Sequence, residues 1–405
     1  MNYSLAEQKQ IEANIWKYTI NLVTNKRVFA AILSLYYLTI PNVEIQNVGW
    51  VMFCGSVAAF LFEIPSGYLS DKIGHKNTMV LGKVALIISS LLFIFANNFT
   101  LLILGAVMMN ISSACFSGTG NAFMHDTLKA IGKDDQYSKI MGKASSIGFA
   151  IPITFMVLTP FLVSHSYKLP FVLALVLDII GLIAVLSFKQ VEHSEEHKKE
   201  IKETSLKQVF KQGIELGYMP FAMLGAFIGA IVFTIQVYRA PYQEFIGADV
   251  IWFGVYFGLG RAMVSLIAAY SGRLKECFDI YSYQRFKILI YLVFLLTISF
   301  VDNVAIILIA FIICNGFQWG LGSVSSHFML EIIGDSKFKA TLMSIKGQIN
   351  QAIVAVGMVA MGQLLSLYSY QTTFLIFTII FAVICGSLYL NIIIKTKGKL
   401  SKREL

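Results

Sequence analysis

Five charged side chains stand inside apolar runs, where a charge is costly: Lys26, Arg27, Glu63, Asp178 and Arg261. A charge in such a setting marks an ion pair, an ion path or a ligand site. Arg261 shares a helical face with Gly254, Gly258 and Ser265. Small neighbours leave room for a ligand, and a planar guanidinium suits an anionic group or a buried carboxylate. Glu63, two helical turns before Asp71, is the expected proton carrier; an ion pair with Lys26 or Arg27 is the alternative. Asp178 has no partner legible in the sequence. Lys83 and Lys346 are expected to lead their charges out toward water along their alkyl stems. No catalytic constellation appears: the six histidines are dispersed, and no nucleophile elbow or phosphate-binding loop is present. The five cysteines lack metal spacing. The chain is therefore expected to be no enzyme and to need no cofactor or metal.

The elements that hold these residues are membrane spans. Of 405 residues, 57% are hydrophobic and only 14% are charged, against about a quarter charged in a typical soluble domain. Mean hydropathy is +0.70. Apolar runs of about 20 residues recur, each long enough for a bilayer core of roughly 30 Å. We read twelve spans, at about 15–39, 46–69, 77–96, 99–124, 141–164, 168–188, 213–238, 249–272, 284–301, 303–326, 341–365 and 371–394. Asn25, Lys26 and Arg27 interrupt the first. The net charge of +9 does not indicate nucleic acid, because the cations lie at span ends.

Lysines and arginines fall on one side of this topology, at positions 72, 76, 129, 133, 139, 273, 275, 285, 287, 337 and 339 and in the 189–211 stretch and the tail. Lys168 and Arg239 fall on the other. That asymmetry predicts both termini in the cytoplasm of a plasma-membrane protein. The expected organisation is a six-helix bundle over 1–189, a cytoplasmic linker over 190–212, a second six-helix bundle over 213–395 and a tail over 396–405.

The halves repeat. Phe123-Met124-His125-Asp126 ends span four, and Phe328-Met329-Leu330-Glu331 ends span ten. Polar stripes mark the equivalent spans: Asn14, Tyr18, Asn21 and Asn25 in span one; Asn110, Ser113, Ser117 and Asn121 in span four; Gly225, Gly229, Gln236 and Arg239 in span seven; Asn315, Trp319, Gly322 and Ser326 in span ten. A helix facing only lipid needs no such stripe. Inverted or duplicated halves with a site near the midplane are a transporter architecture. Asn21, Asn25, Arg27, Asn110, Ser117, Gln236, Arg261, Asn315 and Trp319 are accordingly the candidate cavity residues.

Between spans two and three runs Phe62-Glu63-Ile64-Pro65-Ser66-Gly67-Tyr68-Leu69-Ser70-Asp71-Lys72-Ile73-Gly74-His75-Lys76. Gly67 is expected to permit a tight helix end, and Gly74 a turn that a Cβ would hinder. Gly67, Asp71, Lys72, Gly74 and Lys76 match G-x-x-x-D-[RK]-x-G-[RK]-[RK], and the segment resembles the signature loop of the major facilitator superfamily. Phe116–Ala122 (FSGTGNA), Asp126-Thr127-Leu128 and Tyr137–Gly142 (YSKIMG) are similar to a bacterial branch related to drug-efflux members. The resemblance implies an all-α fold of twelve transmembrane helices in two pseudo-symmetric halves. It implies spans one, four, seven and ten around a central cavity, a gate at the signature loop, and proton-coupled export of a small organic solute by a monomer in the lipid bilayer. The span-four arginine of proton-coupled efflux members is absent, with Asn110 in the nearest place, so coupling would pass to Glu63. Uptake of a nutrient or metabolite remains open, as does a membrane sensor that kept the fold.

Overall fold

The computed structural model describes residues 4–117, 119–190, 206–334 and 339–400. Those residues form helices and no strand. Among the described residues eleven helices are long and apolar enough to cross a membrane. The segment expected as the first span is broken instead. It follows α1 (Leu5–Glu12) and comprises α2 (Asn14–Thr24), a 3-10 turn at Val28–Ala31 and α3 (Leu33–Leu38). The break falls at Asn25, Lys26 and Arg27, the polar residues that interrupt the apolar run. Next come α4 (Ile45–Ile73), α5 (His75–Ile94), α6 (Phe99–Phe116), α7 (Thr119–Ala130), α8 (Tyr137–Val163) and α9 (Leu169–Leu186). After residues 191–205, which lie outside the description, come α10 (Leu206–Glu215), α11 (Tyr218–Val237), α12 (Arg239–Phe245), α13 (Phe253–Ala269) and α14 (Ser271–Glu276). The chain closes with α15 (Ile280–Phe300), α16 (Val304–Gly320), α17 (Gly322–Ile333), α18 (Lys339–Leu367) and α19 (Tyr370–Leu400).

The chain divides into two compact units, residues 1–44 with 54–202 and residues 45–53 with 203–405. The first nine residues of α4 thus belong to the second unit.

In the signature segment the helix end expected at Gly67 is not found, whereas the turn expected at Gly74 is. α4 runs through Gly67 and Asp71 and ends only at Ile73. A Cβ at Gly67 would meet nothing within 4 Å, so that glycine ends no helix. The turn is Gly74 alone, at φ 90° and ψ 153°, a conformation that favours glycine strongly. Asp71 keeps its helical backbone position, but its side chain lies outside the description. Lys76 donates to the Phe188 carbonyl at 2.8 Å.

Each unit breaks one helix in the same place. In the first unit α6 stops at Phe116 and α7 starts at Thr119; in the second α16 stops at Gly320 and α17 starts at Gly322. A helix end leaves carbonyls without intrahelical partners, a serious cost away from water. At both breaks a neighbouring span adds a hydrogen bond to a carbonyl that already accepts from a backbone N–H, Ser117 on Ala114 and Ser325 on Leu321. Ser66 Oγ donates to the Ala114 carbonyl at 2.9 Å. Tyr283 Oη donates to the Leu321 carbonyl at 3.1 Å and is 2.7 Å from Ser325 Oγ.

The C-terminal halves of α7 and α17 pair alike. Asp126 lies 3.6 Å from His75 Nε2, beside the Gly74 turn. Glu331 lies 2.5 Å from Lys275 Nζ on α14 and 3.5 Å from His327. Gly272-Arg273-Leu274-Lys275 occupies the second unit's counterpart of the signature loop. The repeat is therefore one of contacts as well as of letters.

Candidate functional site

In the first unit the break in the first span presents Arg27 to Asp178 on α9. Arg27 Nη1 donates to Asp178 Oδ2 at 3.0 Å and Nη2 to Oδ1 at 2.6 Å. Ser90 Oγ on α5 donates to the same carboxylate at 2.8 Å. The Asp178 side chain is 0% exposed and that of Arg27 14%. The partner missing from the sequence is thus Arg27. A bidentate pair with a third donor is the arrangement that lets opposite charges persist out of water. Lys83, expected to reach toward water, is instead fully buried and donates to Thr24 Oγ1 at 2.8 Å. Lys26 Nζ sits 4.0 Å over the Phe149 ring.

Glu63 is exposed and accepts from Ser117 Oγ at 2.7 Å. Two of the predicted residues thus meet. Among the described residues no cation pairs with Glu63. Asn110 Nδ2 turns back to the Ala106 carbonyl of its own helix at 2.9 Å, against the space left by Gly55. The Oδ1 atoms of Asn21 and Asn25 are buried without a hydrogen-bond partner. The other residues of the span-one stripe are structural. Asn14 bridges the Lys189 backbone through both its amide atoms, and Tyr18 packs on Phe123.

In the second unit four candidate cavity residues converge with Arg239, a member of the span-seven stripe that was not among the candidates. Arg261 on α13 lies between two rings, 4.9 Å from the Phe257 centroid and 5.1 Å from Trp319. Arg239 lies 4.7 Å from Phe257 and donates from Nη1 to Gln236 Oε1 at 3.4 Å. Asn315 on α16 packs over Gly260, where a Cβ would come within 3.0 Å of it. Arg261 Nε and Asn315 Oδ1 are buried without hydrogen-bond partners. No Asp or Glu occurs in α11, α13, α15 or α16. Two guanidiniums held by aromatic faces, with an unpaired amide beside them, can receive an anionic or hydrogen-bonding solute. Sequence reading placed Arg239, with Lys168, on the far side of the membrane; its nearness to Arg261 was signalled only by the span-seven stripe.

A family model described as Major Facilitator Superfamily matches residues 19–332. The chain belongs to that superfamily. Among curated relatives, the "Uncharacterized MFS-type transporter YxaM" of Bacillus subtilis (strain 168) is 24% identical over 244 residues, covering 58% of this chain and 59% of the relative. An "Uncharacterized transporter" of Buchnera aphidicola subsp. Schizaphis graminum (strain Sg) is 25% identical over 216 residues, covering 52% of each. The chain thus spans between half and three fifths of these relatives. Among solved structures, the nucleoside transporter NupG is similar with TM-score 0.76 and 12% identity, covering 93% of this chain and 98% of that one. A bacterial homologue of the human lysosomal transporter Spinster is similar with TM-score 0.74 and 13% identity, covering 96% and 97%. At these identities the likeness shows the fold, the all-helical fold of superfamily transporters. None of these four names a drug-efflux protein, so the efflux branch suggested by the sequence gains no support.

Proposed function

We propose that this superfamily member is a secondary active transporter that moves a small organic solute across the plasma membrane by alternating access, coupled to protons. The observation that carries this reading is the Arg239–Phe257–Arg261–Trp319 cluster, a costly set of charges and an unpaired amide inside apolar spans with no catalytic group beside it. The test is counterflow in proteoliposomes against a panel of metabolites and drugs, with and without a pH gradient. Absence of any counterflow by well-folded protein refutes transport. Export is the direction favoured by Phe116–Ala122 and Tyr137–Gly142; accumulation in right-side-out vesicles under an inward proton gradient would assign uptake instead.

The coupling carboxylate in this reading is Glu63, which a hydroxyl holds and no described cation neutralises. Glu63→Gln keeps an acceptor for Ser117 but cannot carry a proton. Counterflow, which needs no net proton movement, should persist, whereas accumulation driven by a pH gradient should vanish. Wild-type accumulation by Glu63→Gln would remove Glu63 from the mechanism.

Both termini are proposed to be cytoplasmic, and the protein supplies its own probe. Cys277 is an exposed free thiol just after α14, in a segment assigned to the cytoplasm. With the other four cysteines replaced by alanine, an impermeant maleimide should label Cys277 only after the cells are permeabilised. Labelling in intact cells would invert the topology.

A further inference from the structure

The second unit contains a cavity of about 360 Å³ lined by α11, α15, α16, α17 and α18. Its polar lining includes Lys287, Lys346, Gln318, Ser325, Ser326 and Asn350. Lys287 is 7% exposed, and its Nζ lies 3.5 Å from Ser325 Oγ and 5.6 Å from the face of Tyr283. Lys346 lies on α18 against Gly225 of α11, where a Cβ would stand 3.3 Å from Lys346 Cε. Asn350, one turn on, donates to the Ala226 carbonyl at 2.8 Å. Among the described residues no Asp or Glu lines the cavity. Gln318 Oε1 is a buried acceptor with no donor.

Two ammonium groups facing one cavity with no described carboxylate are expensive, because the pair repel and the Lys287 charge has lost most of its hydration. A bound anion offsets both costs. The volume falls in the range of small-ligand sites. The unpaired acceptor adds a second requirement, a donor on the same ligand. We infer that this cavity binds the carboxylate or phosphate of a small hydroxylated solute. Lys287 and Lys346 hold the anionic group, and Gln318 Oε1 accepts from a solute hydroxyl. The inference names the solute class for the transport reading and rests on it. It is distinct from the arginine cluster, which shares no residue with the cavity.

The experiment is binding, measured apart from transport. Purified full-length protein in nanodiscs of phosphatidylcholine is titrated at neutral pH with glycolate, 2-hydroxyethyl phosphate and the neutral ethylene glycol. The readouts are calorimetry and the shift in melting temperature. Both anions should bind saturably and ethylene glycol should not. Lys287→Ala and Lys346→Gln should each weaken anion binding about tenfold or more, the loss expected for a hydrogen bond to a charged group. Lys346 is only partly buried, so Lys346→Gln tests the site even where the Lys287 variant does not fold. Gln318→Leu should weaken glycolate more than acetate, which lacks the hydroxyl. Undiminished anion binding by Lys346→Gln, or equal binding of ethylene glycol, overturns the inference. So does a response to phosphatidylglycerol nanodiscs with none to the soluble anions, which would assign the cations to lipid headgroups. Anion binding by a protein that shows no counterflow would leave the site standing and defeat the transport reading alone.

Discussion

Asp178→Ala is expected to remove most of the folded protein from the membrane. The substitution leaves the Arg27 guanidinium buried with no counter-charge and deprives Ser90 of its acceptor. Breaking one side of a buried pair costs about 3–5 kcal/mol, a large share of the roughly 5–15 kcal/mol that holds a folded domain together. Monodisperse yield in detergent and the melting temperature measure the loss. The double variant Arg27→Leu, Asp178→Leu should recover much of it, because two apolar residues carry no stranded charge. Wild-type yield and melting for Asp178→Ala would show that the pair is not structural. The double variant also decides what Arg27 does besides. Restored protein with restored transport confines Arg27 to holding the first span. Restored protein without transport returns it to the substrate cavity, where its position in the sequence had placed it.

Arg261→Ala should lower transport by about tenfold or more at matched membrane levels, the scale of a lost charged hydrogen bond. Its guanidinium stacks between Phe257 and Trp319 and keeps a buried Nε without a partner. A structural arginine would have its donors occupied; this one holds an N–H in reserve. Stacking contributes about 0.5–2 kcal/mol per ring, so the side chain is positioned before any solute arrives. Arg261→Lys keeps the charge but loses the planar fork. It should retain exchange of a solute held by charge alone and lose one held by two parallel hydrogen bonds. Substrate binding and counterflow for both variants make the distinction. If Arg261→Ala binds and transports like wild type, the cluster is a bystander and the proposed site fails.

Fold and site were legible in the sequence to different depths. Apolar runs of bilayer length announce spans whatever their neighbours do, which is why eleven emerge as single or paired helices. The first does not, because Asn25, Lys26 and Arg27 oppose a continuous apolar helix. The arginine cluster was half visible. Gln236, Arg261, Asn315 and Trp319 each interrupt an apolar face at helical spacing. Arg239, only three residues after Gln236, was read as a charge at the membrane surface. The partner of Asp178 was invisible, since a contact across 151 residues leaves no local pattern. Lys287 was hidden for another reason. It sits two turns into α15, and composition does not tell a cation that leans to the surface from one that turns inward to Ser325.

The Arg27–Asp178 pair also sets a timetable for synthesis. Arg27 leaves the ribosome 151 residues before its partner, about 8–30 s earlier at ordinary elongation rates of roughly 5–20 residues per second. Through that interval the first span is a set of short helices around an unneutralised cation, a poor candidate for staying in hydrocarbon alone. Its final seat between α8 and α9 does not exist until the sixth span arrives. The packing of the first unit around its opening segment therefore waits on the helix that carries Asp178.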